Sequence, residues 1–250
     1  MLTLLMSPTR TRLDQLLVDR GLAPSREKAR AIIMAGAVSR GTERLIKPGV
    51  MVAEDTDLRM AAAPRFVGRG GEKLDKALSA FHLDPTGMVA LDVGASTGGF
   101  TDCLLQHGAA RVYAVDVGHG QLDYRLRSDR RVVCQEGVNA RYPLTLPELC
   151  DIAVADVSFI SLQLVVPSLM AAVHPGSPII ALVKPQFEAG KGKVGKGGVV
   201  RDPEVHCTVL SGIINWGIRA GLRLGGLTPS PIVGDKGNRE FLILWRTPHE

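Results

Sequence analysis

The sequence predicts an α/β protein built on a doubly wound, mainly parallel sheet, and three features support this. Short apolar runs alternate with helical stretches from residue 89 onward, which is typical of strands joined by crossover helices. A glycine-rich turn at residues 94–99 follows the first run. Charged residues stand at one end of three other runs. A chain of 250 residues can hold such a sheet together with a smaller domain.

The first 60 or so residues predict a small α+β module. A helix over residues 12–20 would place its leucines on one face, and a glycine follows it. Ser25 would cap a second helix over residues 26–35, which also ends at a glycine. Two short strand-like segments follow at 37–39 and 49–53. Such a module is marginal alone but viable when attached to a larger domain.

The larger part of the chain predicts seven strands. After a helix over residues 203–220, the last two strands, at 222–227 and 241–246, are joined by a turn-rich segment without a helix. Two strands joined in this way should pair antiparallel, so the last strand should run against the others. The five earlier strand candidates are 89–93, 111–116, 132–134, 151–156 and 178–184.

The antiparallel last strand matters because it brings its start to the edge where the parallel strands end. Asp156 and Lys184 end two of the parallel strands, and Glu240 directly precedes the last one. The three side chains should therefore meet at one edge of the sheet. A lysine that ends a wholly apolar strand is costly to bury, although its head could instead reach solvent. Asp156 could equally be a helix cap, and Glu240 an ordinary surface carboxylate.

The glycine-rich turn predicts a cofactor site. Gly94, Gly98 and Gly99 would let a cofactor approach the backbone, and Asp116 ends the next strand, where it could bind a ribose diol. The spacing is not the GxGxxG of dinucleotide sites. Together with Asp92 at the end of the first strand, this favours a nucleoside-type cofactor such as S-adenosylmethionine over NAD. A tight turn with a purely structural purpose is the alternative.

The charge is concentrated near the N-terminus. Residues 1–65 carry 11 Lys or Arg against 7 Asp or Glu, whereas residues 66–250 carry 19 against 18. Such a concentration is typical of a nucleic-acid partner, and a solvated basic face is an equally good alternative from the charge alone. A glycine and lysine loop at 189–198 is a second candidate contact. The candidate RNA-binding residues are Arg12, Arg26, Lys28, Arg30, Lys191, Lys193 and Lys196.

Composition argues against a membrane or secreted protein. The chain is 45% hydrophobic and 22% charged, with a mean hydropathy of +0.12, and has no uncharged apolar window of about 18 residues. Its apolar start is too short for a signal peptide. The four cysteines are widely spaced and form no CxxC motif, so we expect reduced thiols and no metal site. We predict a cytoplasmic protein.

Several motifs resemble the TlyA (hemolysin A) family. An Arg-Leu-Asp triplet at 12–14 and Ser-Arg-Glu-Lys-Ala at 25–29 resemble the S4 RNA-binding module. The second domain is similar to FtsJ-like ribose 2′-O-methyltransferases, and the resemblance extends over residues 10–246. We therefore expect an S4-like domain at 10–62, a linker at 63–68 and a Rossmann-like methyltransferase domain at 69–250. The motifs of that domain are Arg-Gly-Gly-Glu-Lys-Leu at 69–74, Asp-Val-Gly-Ala-Ser-Thr-Gly-Gly-Phe-Thr-Asp at 92–102, Asp-Val-Ser-Phe-Ile at 156–160, Lys-Pro-Gln-Phe-Glu at 184–188 and Gly-Asn-Arg-Glu-Phe at 237–241.

The resemblance implies a catalytic tetrad of Lys73, Asp156, Lys184 and Glu240, with S-adenosylmethionine as methyl donor and no metal. It also implies ribosomal RNA or ribosomal subunits as partner, with cytidine 2′-O-methylation as the expected reaction. Lys184 is our candidate base, because a buried lysine beside a second cation can lose its proton. The predicted cofactor-binding residues are Asp92, Gly94, Ser96, Thr97, Gly98, Gly99, Phe100, Asp116, Asn139 and Asp156.

Three other functions fit part of the sequence. A non-catalytic RNA-binding protein would be expected to have lost a tetrad or cofactor residue, and none is lost. A membrane-lytic hemolysin would be expected to show a spanning segment or an amphipathic pore helix, which we do not find in the sequence. A pseudouridine synthase could share the S4-like module, but it would not need the turn at 94–99 or Asp116.

Overall fold

The computed structural model describes residues 9–34, 36–61, 65–190, 192–195 and 197–249. The chain divides into two compact units, Met1–Pro64 and Arg65–Glu250. The domain limits 10–62 and 69–250 stay a prediction, as does the linker, whose residues 65–68 belong to the second unit. Among the described residues, no helix is both long enough and apolar enough to cross a membrane.

The first unit contains the two predicted helices. The elements in chain order are β1 Arg10–Arg12, α1 Leu13–Asp19, α2 Arg26–Met34, β2 Val38–Arg40, β3 Glu43–Arg44, β4 Met51–Ala53 and β5 Arg59–Met60. Helix α1 buries its leucines, and Ser25 accepts a hydrogen bond from the backbone N–H of Lys28 at 3.2 Å, as a helix cap should. Two small sheets complete the unit: β1 pairs antiparallel with β4, and β2 lies between β3 and β5.

The second unit contains the predicted seven-stranded sheet, so the fold class is confirmed. The strands are β6 Val89–Val93, β7 Arg111–Asp116, β8 Val132–Glu136, β9 Ile152–Ala155, β10 Pro178–Val183, β11 Arg223–Pro229 and β12 Phe241–Arg246, in the spatial order β11-β12-β10-β9-β6-β7-β8. The five strands from β10 to β8 in this spatial order run parallel to one another, in the order expected for a doubly wound sheet.

Helices cover both faces of this sheet. They are α3 Gly70–Phe81, α4 Gly99–Gln106, α5 Tyr124–Arg127, α6 Leu162–Ala172, α7 Pro185–Glu188 and α8 Pro203–Arg219. Apolar side chains of α6 and α8 pack on one face, and those of α3 and α4 pack on the other. Each inner strand is consequently buried on both sides, which explains its unbroken run of apolar residues.

Strand β12 runs antiparallel to both of its neighbours, as predicted. Its register pairs Phe241 with Val183 of β10. Glu240 therefore stands beside Lys184 at the edge where the parallel strands end.

Two local features differ from the expectation. Helix α3 was not predicted, because Gly70 and Gly71 open it and glycine usually disfavours a helix. Tertiary packing requires the small residue: a Cβ atom on Gly71 would lie 2.2 Å from the ring of Phe66. The connection between β11 and β12, predicted to lack a helix, contains a 3-10 turn at Asp235–Gly237.

Candidate active site

Four charged side chains meet at the edge of the sheet where the parallel strands end. Asp156 follows β9, Lys184 follows β10, Glu240 precedes β12, and Lys73 comes from the first turn of α3. The strand order predicted the convergence of three of them, and the family resemblance implied Lys73 as the fourth. Lys73 reaches them because α3 packs beside α4, which begins at the glycine-rich turn.

The four side chains alternate in charge. Glu240 Oε2 accepts a hydrogen bond from Lys73 Nζ at 2.7 Å, and Asp156 Oδ2 lies 3.8 Å from the same ammonium. The other oxygen of Asp156, Oδ1, lies 2.6 Å from Lys184 Nζ. Asp156 thus stands between the two lysines. We call this arrangement the tetrad.

The alternation explains how four charges can occupy one buried site. Lys73 and Lys184 are each 8% exposed, and Glu240 is 4% exposed. A buried charge is costly unless it is paired and hydrogen-bonded. Two ammonium groups and two carboxylates leave no net charge, and each cation has at least one carboxylate partner. Removal of one member would leave a charge without its full set of partners.

The tetrad lines a cavity of about 510 Å³, which we call the tetrad cavity. A neighbouring cavity of about 340 Å³ is lined by Asp116 and Asn139, and we call it the cofactor cavity. Ligands in these cavities could lie within reacting distance, because both are bordered by several of the same residues. The shared residues are Gly94, Ser96, Asp156, Ser158 and Phe159.

Asp116 braces the glycine-rich turn from the cofactor cavity. One of its carboxylate oxygens accepts the backbone N–H of Ser96 at 2.8 Å, and the other accepts the N–H of Gly118 at 2.7 Å. Each carboxylate oxygen has two lone pairs, so both oxygens retain capacity for a further donor such as a ribose hydroxyl. The residue can hold the turn and bind a ligand at the same time.

Packing and backbone conformation also require glycine at two positions of the turn. Gly94 has a φ of +81°, and a Cβ atom there would lie 2.5 Å from the backbone oxygen of Asp156. Gly98 has a φ of +97°, and its Cβ would lie 2.2 Å from Leu126. Close packing around a tight turn therefore explains part of why glycine occupies these positions. Of the other residues predicted in this turn, Thr97, Gly99 and Phe100 line the tetrad cavity.

Asp92 lies beneath the turn rather than on a cavity wall. Its side chain is fully buried, Oδ2 accepts a hydrogen bond from the Thr101 hydroxyl at 2.6 Å, and Oδ1 has no hydrogen-bond partner. Burial raises the pKa of Asp92 to about 7, and the nearby charges of Asp156 and Asp116 act in the same direction. Asp92 thus bonds to the first turn of α4.

We expect Asp92→Asn to gain stability relative to the unchanged protein as the pH rises from about 4 to about 7. An aspartate has an ordinary pKa of 3.8, which applies to the unfolded chain, and the pKa of Asp92 is about 7 in the folded protein. Between these values the unfolded chain has lost the proton that the folded chain keeps, so rising pH costs the folded protein up to about 1.4 kcal/mol per pH unit. Asparagine does not titrate. Urea unfolding across this range measures the difference in unfolding free energy.

Asp84→Asn is the control for this experiment, because Asp84 is exposed and its hydrogen bonds to Thr86 lower its pKa. Its titration lies below the range, so the difference from the unchanged protein should stay constant. A constant difference for Asp92→Asn as well would contradict the assignment of a raised pKa.

Two residues beside the tetrad were not predicted to act. Phe159 has a left-handed φ of +63°, is 89% exposed, and borders both cavities. Its ring centroid lies 4.9 Å from that of Phe187. Ser158 Oγ accepts a hydrogen bond from Lys184 Nζ at 2.8 Å. The sequence signal that could have found them is the Asp-Val-Ser-Phe-Ile motif at 156–160, in which only Asp156 was given a role.

The candidate RNA-binding residues of the first unit fall into two groups. Arg12 and Arg26 both pair with the buried carboxylate of Asp14, at 2.8 and 3.2 Å. The hydrogen bond from Arg12 lowers the pKa of Asp14 to about 2, so these arginines also stabilise the fold. Lys28 and Arg30 on α2 are exposed. In the second unit Lys193 is exposed, whereas Lys191 and Lys196 lie outside the described residues.

The cysteines are free thiols, as expected. Cys103 does lie near a histidine and a carboxylate in space: the candidate ligand atoms of Asp75, Cys103 and His107 are all within 4.8 Å of one another. Asp75 already bonds to His107 Nε2 at 2.8 Å and to Arg65 at 2.8 Å. The sequence could not show this cluster, because Asp75 belongs to α3, whereas Cys103 lies in α4 and His107 directly follows that helix.

Two family models match the chain. The model of the FtsJ-like methyltransferase family matches residues 66–247, and the model of the S4 domain matches residues 11–58. The first match covers most of the second unit, including every member of the tetrad. The second covers both helices of the first unit.

Individual proteins agree with these matches. The 16S/23S rRNA (cytidine-2′-O)-methyltransferase TlyA of Mycobacterium tuberculosis is 44% identical over 95% of this chain and 90% of its own length. Hemolysin A of Brachyspira hyodysenteriae is 41% identical over 92% and 98%. A solved structure from Streptococcus thermophilus that carries the name hemolysin is 42% identical, with a TM-score of 0.74 over 98% and 92% of the two chains. The chain thus belongs to the TlyA (hemolysin A) family, in which it joins an S4 domain to an FtsJ-like methyltransferase domain.

Proposed function

We propose that this protein transfers a methyl group from S-adenosylmethionine to a ribose 2′-hydroxyl of cytidine in ribosomal RNA. The observation that carries the proposal is the buried, charge-alternating tetrad beside a second cavity bordered by Asp116. The cytidine and the ribosomal RNA come from the similarity to the mycobacterial TlyA protein. Family membership supports the methyltransferase class.

The cofactor cavity fits the adenosine part of S-adenosylmethionine. Asp116 offers carboxylate oxygens that can accept from ribose hydroxyls, and Asn139 lies on the same wall. Apolar side chains of Val117, Val138 and Ile160 also line the cavity and suit a purine ring. When bound, the cofactor supplies an electrophilic methyl group on a sulfonium sulfur.

The tetrad would supply the base for the reaction. A ribose hydroxyl is a weak nucleophile, and its attack is helped by a group that accepts its proton. Lys184 faces the tetrad cavity and is our candidate for that role. Lys73, which contacts both carboxylates, would act as a fixed cation that holds the RNA. Asp156 and Glu240 orient the two lysines.

Phe159 supports an RNA substrate at this site. A large exposed aromatic side chain in a left-handed conformation is held there at a cost in folding energy, and such strain is often found at functional sites. It stands at the mouth of both cavities, where an unstacked base would arrive. Aromatic rings that stack single bases are a common means of RNA recognition.

The proposal is tested by mapping 2′-O-methyl groups on ribosomal RNA from cells with and without the gene. We expect at least one cytidine to lose its ribose methyl group when the gene is absent, and purified protein with S-adenosylmethionine to restore it. Free RNA and assembled subunits should be compared as substrates. An unchanged methylation map would reject the proposed reaction, and a methyl group on a base would change its chemical class.

The S4 domain should supply electrostatic affinity for the RNA. We expect the double variant Lys28→Gln/Arg30→Gln to bind RNA more weakly and with a smaller dependence on salt. Each lost phosphate contact should reduce the slope of log affinity against log salt by about 0.7 to 0.9. Neither residue pairs with Asp14, so the fold should be kept. Filter binding across a salt series measures both quantities.

The matched control is Arg44→Gln/Lys47→Gln, which removes the same charge from exposed positions of the same unit. Its salt slope should change less than that of the α2 variant. Equal slopes for the two double variants would mean that α2 makes no specific phosphate contacts.

A further inference from the structure

Ser158 contacts the proposed base but is not a member of the tetrad. It follows Asp156 by two residues in the loop after β9, and its Oγ accepts a hydrogen bond from Lys184 Nζ at 2.8 Å. The side chain borders both the tetrad cavity and the cofactor cavity. It is therefore placed between the two ligands that must meet.

The number of N–H groups on a neutral lysine shows why the contact with Ser158 matters. A neutral amine has two N–H groups and one lone pair, arranged tetrahedrally with the side chain. Ser158 Oγ at 2.8 Å accepts one N–H group, whereas Asp156 Oδ1 at 2.6 Å forms an ion pair with Nζ that lies outside hydrogen-bond geometry. The hydrogen bond to Ser158 fixes the direction of one N–H group, and the charge of Asp156 attracts the other. The lone pair is then left for the tetrad cavity that Lys184 lines. A base needs its lone pair in that direction.

The other neighbours of Lys184 do not replace this acceptor. The centroid of the Phe187 ring lies 6.0 Å from Nζ, at the outer limit of a cation–π contact, which is weaker than a short hydrogen bond. Without Ser158, the ion pair with Asp156 would be the one close polar contact that the structure describes around this nitrogen, and an ion pair does not fix the direction of an N–H group. The amine could then turn about its last side-chain bond.

We propose that Ser158 is a positioning residue for methyl transfer, whose hydroxyl oxygen fixes, together with Asp156, the direction in which Lys184 faces the substrate hydroxyl. The inference rests on the proposed function, in which Lys184 accepts the hydroxyl proton. Ser158 itself takes no part in bond making or breaking. Its effect acts through Lys184.

The first test compares Ser158→Ala with Ser158→Thr in steady-state methyl transfer to ribosomal RNA. Misplacement of a catalytic group by a fraction of an ångström to 1 Å can cost up to about 100-fold, so we expect kcat of the alanine variant to fall about 10- to 100-fold. KM for RNA and the calorimetric affinity for S-adenosylmethionine should change less than about 3-fold, since neither ligand is assigned to the lost hydrogen bond. Threonine keeps the hydroxyl and should restore most of the rate. An alanine variant with a rate close to that of the unchanged protein would overturn the proposal.

The second test does not depend on turnover. Reductive methylation with formaldehyde, followed by peptide mass spectrometry, compares the labelling rates of Lys184 and Lys73 in the same molecule. Both are equally buried, so Lys73 is an internal reference. The ratio of Lys184 to Lys73 labelling should rise in Ser158→Ala and return toward its original value in Ser158→Thr.

The control for this second test is Ser161→Ala, the same chemical change three residues along the loop. Ser161 donates to Glu188 at 2.7 Å, and its hydroxyl is bonded there rather than to Lys184. The labelling ratio should therefore stay constant. An unchanged ratio in Ser158→Ala would also overturn the proposal, even if its kcat fell. Absence of methyl transfer in the unchanged protein would instead reject the proposed function, while the labelling ratio would still report whether Ser158 positions Lys184.

Discussion

Lys184→Arg should reduce methyl transfer at least about 100-fold, the lower end of what a general base contributes. Arginine keeps the positive charge and can still pair with Asp156, but it does not lose its proton in proteins. The variant should therefore bind RNA and S-adenosylmethionine and fail at the chemical step. Transfer of tritiated methyl groups under single-turnover conditions, with both ligands saturating, measures that step.

Lys76→Arg is the matched control, because Lys76 is an exposed lysine on α3, the helix that carries Lys73. It should transfer methyl groups at the rate of the unchanged protein. A Lys184→Arg variant with the same rate as this control would remove Lys184 from the role of base. The tetrad would then act by holding the substrate, not by accepting its proton.

Asp116→Ala should weaken binding of S-adenosylmethionine strongly. A hydrogen bond to a charged group contributes about 1.5–3 kcal/mol, which corresponds to a loss of affinity of about 10- to 150-fold for one such bond. The structure adds a second reason, since the carboxylate also holds the N–H groups of Ser96 and Gly118. Loss of those bonds would loosen the turn that borders both cavities. Isothermal calorimetry measures the affinity, and thermal unfolding checks that the variant is folded.

Asp84→Ala is a suitable control, because Asp84 Oδ1 also accepts the backbone N–H two residues ahead, that of Thr86, at 2.9 Å. The same type of turn is thereby disturbed outside the residues that line the two cavities. Its affinity for S-adenosylmethionine should be unchanged. If a folded Asp116→Ala variant also kept its affinity, the donor would have to bind elsewhere.

The sequence predicted well those elements whose residue pattern is compatible with one structure. A continuous apolar run in a doubly wound sheet must be a buried strand, and the bounds predicted for β6, β7 and β12 agree with the structure. Helix α3 was missed because its opening glycines are required by Phe66 and other distant neighbours, and not by any local preference.

The candidate site also contains features that the sequence predicted and features that it did not. Convergence of Asp156, Lys184 and Glu240 followed from strand order and direction, because the ends of neighbouring strands must lie at one sheet edge. The burial of Asp92 did not follow, since its position at a strand end does not reveal that Thr101 and the turn close over it. The same holds for the pairing of Arg12 and Arg26 with the buried carboxylate of Asp14.

The sequence by itself thus determined the class of sheet, the reversed last strand and the identity of the charges at its edge. These depend on periodicity and chain order, which are local or topological properties. Only the tertiary structure decided which ammonium meets which carboxylate. Lys73 and Glu240 are 167 residues apart in the chain, and their 2.7 Å contact depends on how α3 packs against the sheet. Contacts at that precision arise from packing among distant segments, and a pattern of residue types along the chain does not encode their distances.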